Sequence, residues 1–200
     1  MITKLESAYT FLIMRYMFII VEDFKEKKKI LEENTEKRIK KHDLDETFYV
    51  TTAVKEGTRL LDSNNILVLL GTEKCGKTEA CLSLCKRCKE KDFAIIYLTS
   101  SNKEEVKYFI DKDKKEIYVF DINMKPTEDD ALKELIDEVK LHASENIRFI
   151  FTVKTSAVTK LFDNLPADQQ VKIDSLNEED KKGILMNHMK HNNIDVCKVT

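Results

Sequence analysis

The residues from Gly71 to Thr78 read Gly-Thr-Glu-Lys-Cys-Gly-Lys-Thr, the spacing G-x-x-x-x-G-K-T. The chemistry that spacing serves is the holding of a polyphosphate. Two glycines let the main chain curl so that successive N–H groups converge on phosphate oxygens, and a following helix adds the positive end of its dipole. Thr72, Glu73, Lys74 and Cys75 complete the cradle between Gly71 and Gly76. Lys77 would reach the β- and γ-phosphates, and the Thr78 hydroxyl would complete the shell of a Mg²⁺ ion.

A second carboxylate should stand at the end of a hydrophobic strand, close enough to hold Mg²⁺ through water. Asp121, closing Ile117-Tyr118-Val119-Phe120, fits that role. Many ATPases place another acid directly after it to orient the attacking water, and this chain has Ile122 and then Asn123. Binding is therefore expected with slow or absent hydrolysis. Lys154, at the tip of a later strand, stands where a polar residue commonly senses the γ-phosphate; the plainer alternative is a solvated strand-end lysine. Arginine occurs only at positions 15, 38, 59, 87 and 148, a poor supply for transition-state charge downstream of the loop. His188-x-x-His191 could bind a metal from one helical face but has no third ligand in its neighbourhood of the sequence.

Those groups need elements to position them. The apolar run Ile66 to Leu70 precedes the loop, and a helix-compatible stretch from Glu79 to Glu90 follows it. Further strands are expected at Phe93–Leu98, Glu116–Asp121, Ile147–Val153 and, shorter, Gln170–Ile173, with helices at 46–62 and 127–142. Apolar runs of this length separated by amphipathic helices predict an α/β fold: a mainly parallel five-stranded sheet covered on both faces, the three-layer P-loop NTPase architecture. Right-handed crossovers then put the loop at the carboxyl edge of the strands.

Five cysteines lie at 75, 81, 85, 88 and 197, an odd number and not the layout of a secreted disulfide framework. Reduced thiols and a cytoplasmic location are expected. Cys81-x-x-x-Cys85-x-x-Cys88 has the spacing of an iron–sulfur motif, yet positions 81, 85 and 88 fall on one helical face with Leu84, the pattern of small core residues. Cys75 differs: among loop dipoles and near Lys74 and Lys77, its thiol is expected to be oxidation-sensitive.

The first 43 residues have another texture. Residues 11–21 are apolar apart from Arg15 and Tyr16, and residues 22–41 are dominated by Lys and Glu. One or two helices without a full heptad seam are expected, the Lys/Glu run being a solvated face. The apolar stretch is too short for a bilayer span and carries a charge at its middle. It reads as a packed or interfacial helix, a route to protein partners or self-association, with a short membrane anchor as the alternative. The net charge of -2, with both signs interspersed, gives no electrostatic reason to expect a nucleic-acid partner. The implied organisation is a helical extension over 1–43, the P-loop domain over 44–176 and a C-terminal helix and tail over 177–200.

The order of elements resembles a known family. Glu46-Thr47-Phe48-Tyr49-Val50-Thr51-Thr52-Ala53-Val54, the loop, the strand ending in Asp121, the strand ending in Lys154 and Ser175 to Leu185 are together similar to the novel STAND NTPases of the third type. These are signal-transduction ATPases with numerous domains. The resemblance runs from about Asp45 to Lys190 and implies an ATP/ADP-controlled switch, often in immune or death signalling, in which Tyr49 and Val50 pack near the nucleotide base. The family usually has paired aspartates where this chain has Asp121-Ile122, and an arginine where it has Lys154. A chain of 200 residues resembles a reduced or partial member.

Two other classes use the same loop. A small-molecule or nucleotide kinase normally adds an arginine-bearing lid, and residues 155–200 contain no arginine. A degenerate P-loop module would serve as an interaction scaffold through its N-terminal helices. A GTPase would need a guanine-reading N-K-x-D, and Asn102-Lys103-Glu104-Glu105 comes too early and lacks the aspartate.

Overall fold

The computed structural model describes residues 2–98, 103–122, 129–155 and 166–194, the side chains of 2–12 and 129 excepted. Strands β1 (Ile66–Gly71), β2 (Ala94–Leu98), β3 (Glu116–Ile122), β4 (Ile147–Lys154) and β5 (Gln170–Lys172) pair in parallel in the order β2-β3-β4-β1-β5. Around them run α1 (Ile2–Asp43), α2 (Thr52–Asn64), α3 (Lys77–Lys89), α4 (Lys103–Phe109), α5 (Asp129–His142) and α6 (Glu178–His191). This is the covered parallel sheet that the sequence predicts.

Every residue of β1 is buried, because a strand inside a parallel sheet meets a helical layer on each face. Its alternate side chains feed two cores. Leu67 and Leu69, with Ile117, Val119 and Ile150, pack under α2 and α3. Val68 and Leu70, with Tyr118, Phe120, Phe149 and Phe151, pack under α4 and α5. Phe120 and Phe151 stack with ring centroids 5.1 Å apart, a cross-strand aromatic pair on the second face.

The N-terminal segment forms one continuous helix rather than two. No glycine or proline interrupts residues 1–43, and Lys40, Lys41 and His42 in the last turn suit the negative end of its dipole. Its 42 residues span about 63 Å at 1.5 Å per residue. The Lys/Glu stretch is not merely a solvated face: Thr35 and Ile39 are buried, and Lys28 joins the buried Glu116 and the Phe109 carbonyl. The main-chain N–H of Tyr97 donates to Thr35 Oγ1 at 3.0 Å, so α1 caps an otherwise open strand edge at β2. Earlier in the helix, Met14, Tyr16 and Phe18 are each 66% exposed. Among the described residues no helix is long and apolar enough to cross a membrane.

Several element boundaries depart from expectation, among them the starts of α3 (Lys77 rather than Glu79) and β2 (Ala94 rather than Phe93). The helix predicted from Glu46 begins only at Thr52. The aromatic and β-branched run Phe48-Tyr49-Val50-Thr51 is a poor helix former, and Thr51 turns the chain as an N-cap, its hydroxyl accepting from the Val54 N–H at 3.4 Å. β5 ends at Lys172 rather than Ile173, although the Ile173 N–H still donates to the Leu70 carbonyl at 2.8 Å. The start of the helix predicted at 127 lies outside the described residues, as does Asn123.

Candidate functional site

Between β1 and α3 the chain makes a tight curl with two residues in the left-handed region, Lys74 at φ 60° and Gly76 at φ 92°. Such reversals turn successive N–H groups toward one concavity, an anion nest. Gly76 is the N-cap of α3 and offers no side-chain oxygen, leaving the first-turn amides of that helix for another acceptor. Gly71 serves a different need, since a Cβ there would stand 2.4 Å from Cys75 Sγ and that side chain would have to move. Lys77 folds back over the curl, its Nζ donating to the Gly71 carbonyl at 3.1 Å and the Thr72 carbonyl at 2.5 Å, with Cys75 Sγ at 3.9 Å. The Thr72 N–H donates to Asp174 Oδ2 at 2.9 Å, which ties the loop to the segment after β5. Thr78 is half-buried and borders a cleft shared with Arg38, Lys41 and Glu79.

Strand register brings the other predicted groups to the same edge. Leu69 of β1, Thr152 of β4 and Asp121 of β3 form one row, and Gly71 stands opposite Lys154 two residues further on. Neighbouring rows and strands are each only a few ångströms apart, about 3.3 Å along the chain and 4.8 Å across it. Asp121 accepts from Thr152 Oγ1 at 2.7 Å and from the Tyr97 hydroxyl at 3.2 Å. Both donors are neutral, and among the described residues no lysine, arginine or histidine forms an ion pair with it. Tyr97 itself lies beneath the Arg38 guanidinium, 3.9 Å from the ring centroid, a cation–π contact from α1. Burial, and then the Cys81 thiol and the Asp121 carboxylate, push the Tyr97 hydroxyl far above its usual range, so it stays a donor. Lys154 Nζ reaches back to Glu73 Oε2 at 2.6 Å.

Beside the loop opens a cleft of about 230 Å³, walled by Tyr49 and Phe48 before α2, by Cys75, Gly76 and Ala80 of the loop and α3, and by Ile184 of α6. Tyr49 lines this cleft, and Val50 lines a larger neighbouring cleft with His42 and Lys86. His188 lines the smaller cleft as well. Among the described residues no group of three or more His, Cys, Asp or Glu gathers as metal ligands.

Sequence reasoning missed how α6 is held there. Asp180, buried at 1% exposure, accepts from the Thr52 N–H at 2.8 Å and the Thr52 hydroxyl at 3.1 Å, so a carboxylate from α6 caps the positive end of α2. The Asn177 side chain closes the joint, accepting from the Asp180 N–H at 2.7 Å and donating to the Thr52 hydroxyl at 3.0 Å. Gly183 lies close against the Tyr49 ring: a Cβ there would stand 2.3 Å from Tyr49 Cζ. The one available signal is a glycine inside a helical pattern, which points to a close approach without naming its partner.

The three helical cysteines are core residues. Cys81, Cys85 and Cys88 are buried, free thiols on the face of α3 that meets the sheet. A hydrogen bond with Cys81 and then burial raise Cys85 well above the usual thiol range. Burial and then Cys85 push Cys88 up to about 12. Thiols held neutral in this way are poor nucleophiles and poor ligands.

Known proteins supply the wider frame. The sequence profile of the family described as Novel STAND NTPase 3 matches residues 48–191. No curated protein sequence is matched. Among solved structures, the S. cerevisiae Hsp104:casein complex in its extended conformation is similar over 80% of this chain and 32% of the Hsp104 chain, with 14% identity and a TM-score of 0.53. The chain thus spans about a third of the length of that neighbour, and at such identity the likeness shows the fold alone. A Rhizobiales Trip13 structure aligns over 88% of this chain and 69% of its own, at 11% identity and a TM-score of 0.47, too loose to argue from. Since the profile covers well over half of the sequence, the chain belongs to the Novel STAND NTPase 3 family.

Proposed function

For a member of the Novel STAND NTPase 3 family with this site, we propose a nucleotide-dependent signalling switch that binds ATP or ADP with Mg²⁺ and hydrolyses ATP slowly or not at all. The observation that carries the reading is continuity: the small cleft shares Cys75 and Gly76 with the phosphate loop, so one ligand with a flat base and a polyphosphate tail fills both. The base would stand beside Tyr49, under Ile184, and the tail would lie on the amides that lead into α3. Lys77 needs only to exchange the carbonyls of Gly71 and Thr72 for phosphate oxygens.

Thr78 and Asp121 are the residues that would hold Mg²⁺. Asp121 suits the ion, since its oxygens meet neutral hydroxyls and its charge has no ion-pair partner among the described residues. The bound ion would neutralise phosphate charge. Thr152 and Tyr97 orient the carboxylate from either side. No second acid follows Asp121 directly, which supports slow turnover.

The switching element in this reading is α6. Its attachment rests on Asp180, Asn177 and the Gly183 contact at the rim of the base cleft, so a nucleotide that fills the cleft adds contacts to α6 and biases how it docks. Release of bound small molecules from protein purified without added nucleotide, followed by mass spectrometry of the supernatant, tests the proposal. ADP or ATP at close to one equivalent is expected, and its absence together with failure to bind either when added rejects it.

A further inference from the structure

Glu73 is an odd resident for the mouth of a loop that would receive a polyanion. Its carboxylate neither faces away nor pairs within the loop: it reaches across to Lys154 of β4, at 2.6 Å, the lysine whose strand position lies opposite Gly71. The hydrogen bond and charge of Lys154, and then the charge of Lys77, hold the Glu73 carboxyl below the usual glutamate range. One carboxylate thus sits within the field of both ammonium groups that a terminal phosphate would seek.

From this arrangement, and resting on the nucleotide-binding reading above, we infer that Glu73 discriminates between nucleoside triphosphate and diphosphate by standing in for the terminal phosphate on Lys154. A diphosphate ends one phosphoryl group short of that place and binds with the Glu73–Lys154 pair closed. A triphosphate brings its own oxyanion to the same lysine, so it must part the pair and tolerate the displaced carboxylate nearby. No bond is made or broken; the device is a competition between two anions for one cation. Its consequence is a resting protein biased toward diphosphate, with the triphosphate state reached only when Glu73 swings out. The side chain can do so at small cost, being 67% exposed, and a surface pair of this kind contributes little to folding. Glu73→Gln therefore changes nucleotide choice without threatening the fold.

Calorimetric titration of Mg·ATP and Mg·ADP into the wild-type chain, Glu73→Gln and the double variant Glu73→Gln/Lys154→Ala tests the idea. Glu73→Gln is expected to tighten ATP about three- to tenfold while ADP changes by less than about twofold, and the double variant is expected to lose that gain. An unchanged ATP-to-ADP ratio, equal tightening of both nucleotides, or a gain that survives removal of Lys154 would each overturn the discrimination while leaving nucleotide binding intact. Failure of the wild-type chain to bind either nucleotide would overturn both together.

Discussion

At one end of the cleft, the groups that would hold all but the terminal phosphate come from one run of eight residues, and their geometry is largely internal to that run. At the other end, Tyr49, Ile184 and His188 meet only because α6 returns to the start of α2, joined by a hydrogen bond between residues 128 positions apart. The phosphate end is charged and partly exposed, and its polar groups satisfy one another through Lys77 and Asp174. The base end is apolar and held by tertiary contacts. In the proposed nucleotide seat, local structure would fix where the tail goes, while long-range packing would fix whether the base has a place. A ligand that needs both ends links the two.

Substitutions that strike one end only should separate them. The largest effect is expected from Lys77→Ala, which removes the ammonium group that donates into the curl of the loop: affinity for ADP and for inorganic tripolyphosphate should both fall by about 3 kcal/mol, roughly two decades, in calorimetry. Gly183→Ala is the counterpart at the base end. Alanine normally favours a helix over glycine by about 1 kcal/mol, but here its methyl group would press on the Tyr49 ring. Weaker ADP binding by about tenfold with tripolyphosphate unchanged is expected; equal losses for both ligands would erase the distinction between the ends.

Asp121→Asn should leave binding without Mg²⁺ almost unaltered and reduce the gain that Mg²⁺ brings by about 1 to 2 kcal/mol, read from titrations with the ion and with a chelator. Tyr97→Phe removes a single 3.2 Å hydrogen bond to the same carboxylate and should move the Mg²⁺ dependence in the same direction by no more than about 1 kcal/mol. Smaller still in energy but distinct in site is thiol labelling. Cys75 borders the cleft and should alkylate first and be shielded by ADP, whereas Cys81, Cys85 and Cys88 should react only on unfolding, as mapped by peptide mass spectrometry.

The asymmetry between the ends also explains what could be read from the sequence. The loop, the five strands and the buried stripe of Cys81, Cys85 and Cys88 are written in short spacings and runs, so periodicity reveals them. The positions of Asp121 and Lys154 are legible for a related reason, since each lies at the carboxyl end of an apolar strand of the parallel sheet. The Asp180 cap on α2 is not legible, because an acidic residue in the first turn of a helix such as α6 is commonplace and nothing nearby says that it serves another helix. The packing of α1 is hidden likewise: Lys28, Thr35 and Arg38 read as solvated until β2 and Glu116 are brought beneath them. The late start of α2 has a local cause instead, the aromatic and β-branched run that leads into the Thr51 N-cap.

Calorimetric titration of Mg·ADP into nucleotide-stripped protein tests the central claim most directly. Saturable binding at one equivalent, weakened by roughly two decades in Lys77→Ala and about tenfold in Gly183→Ala, is the predicted result. Heat that never saturates, or an affinity indifferent to both substitutions, would contradict a nucleotide seated between the loop and α6.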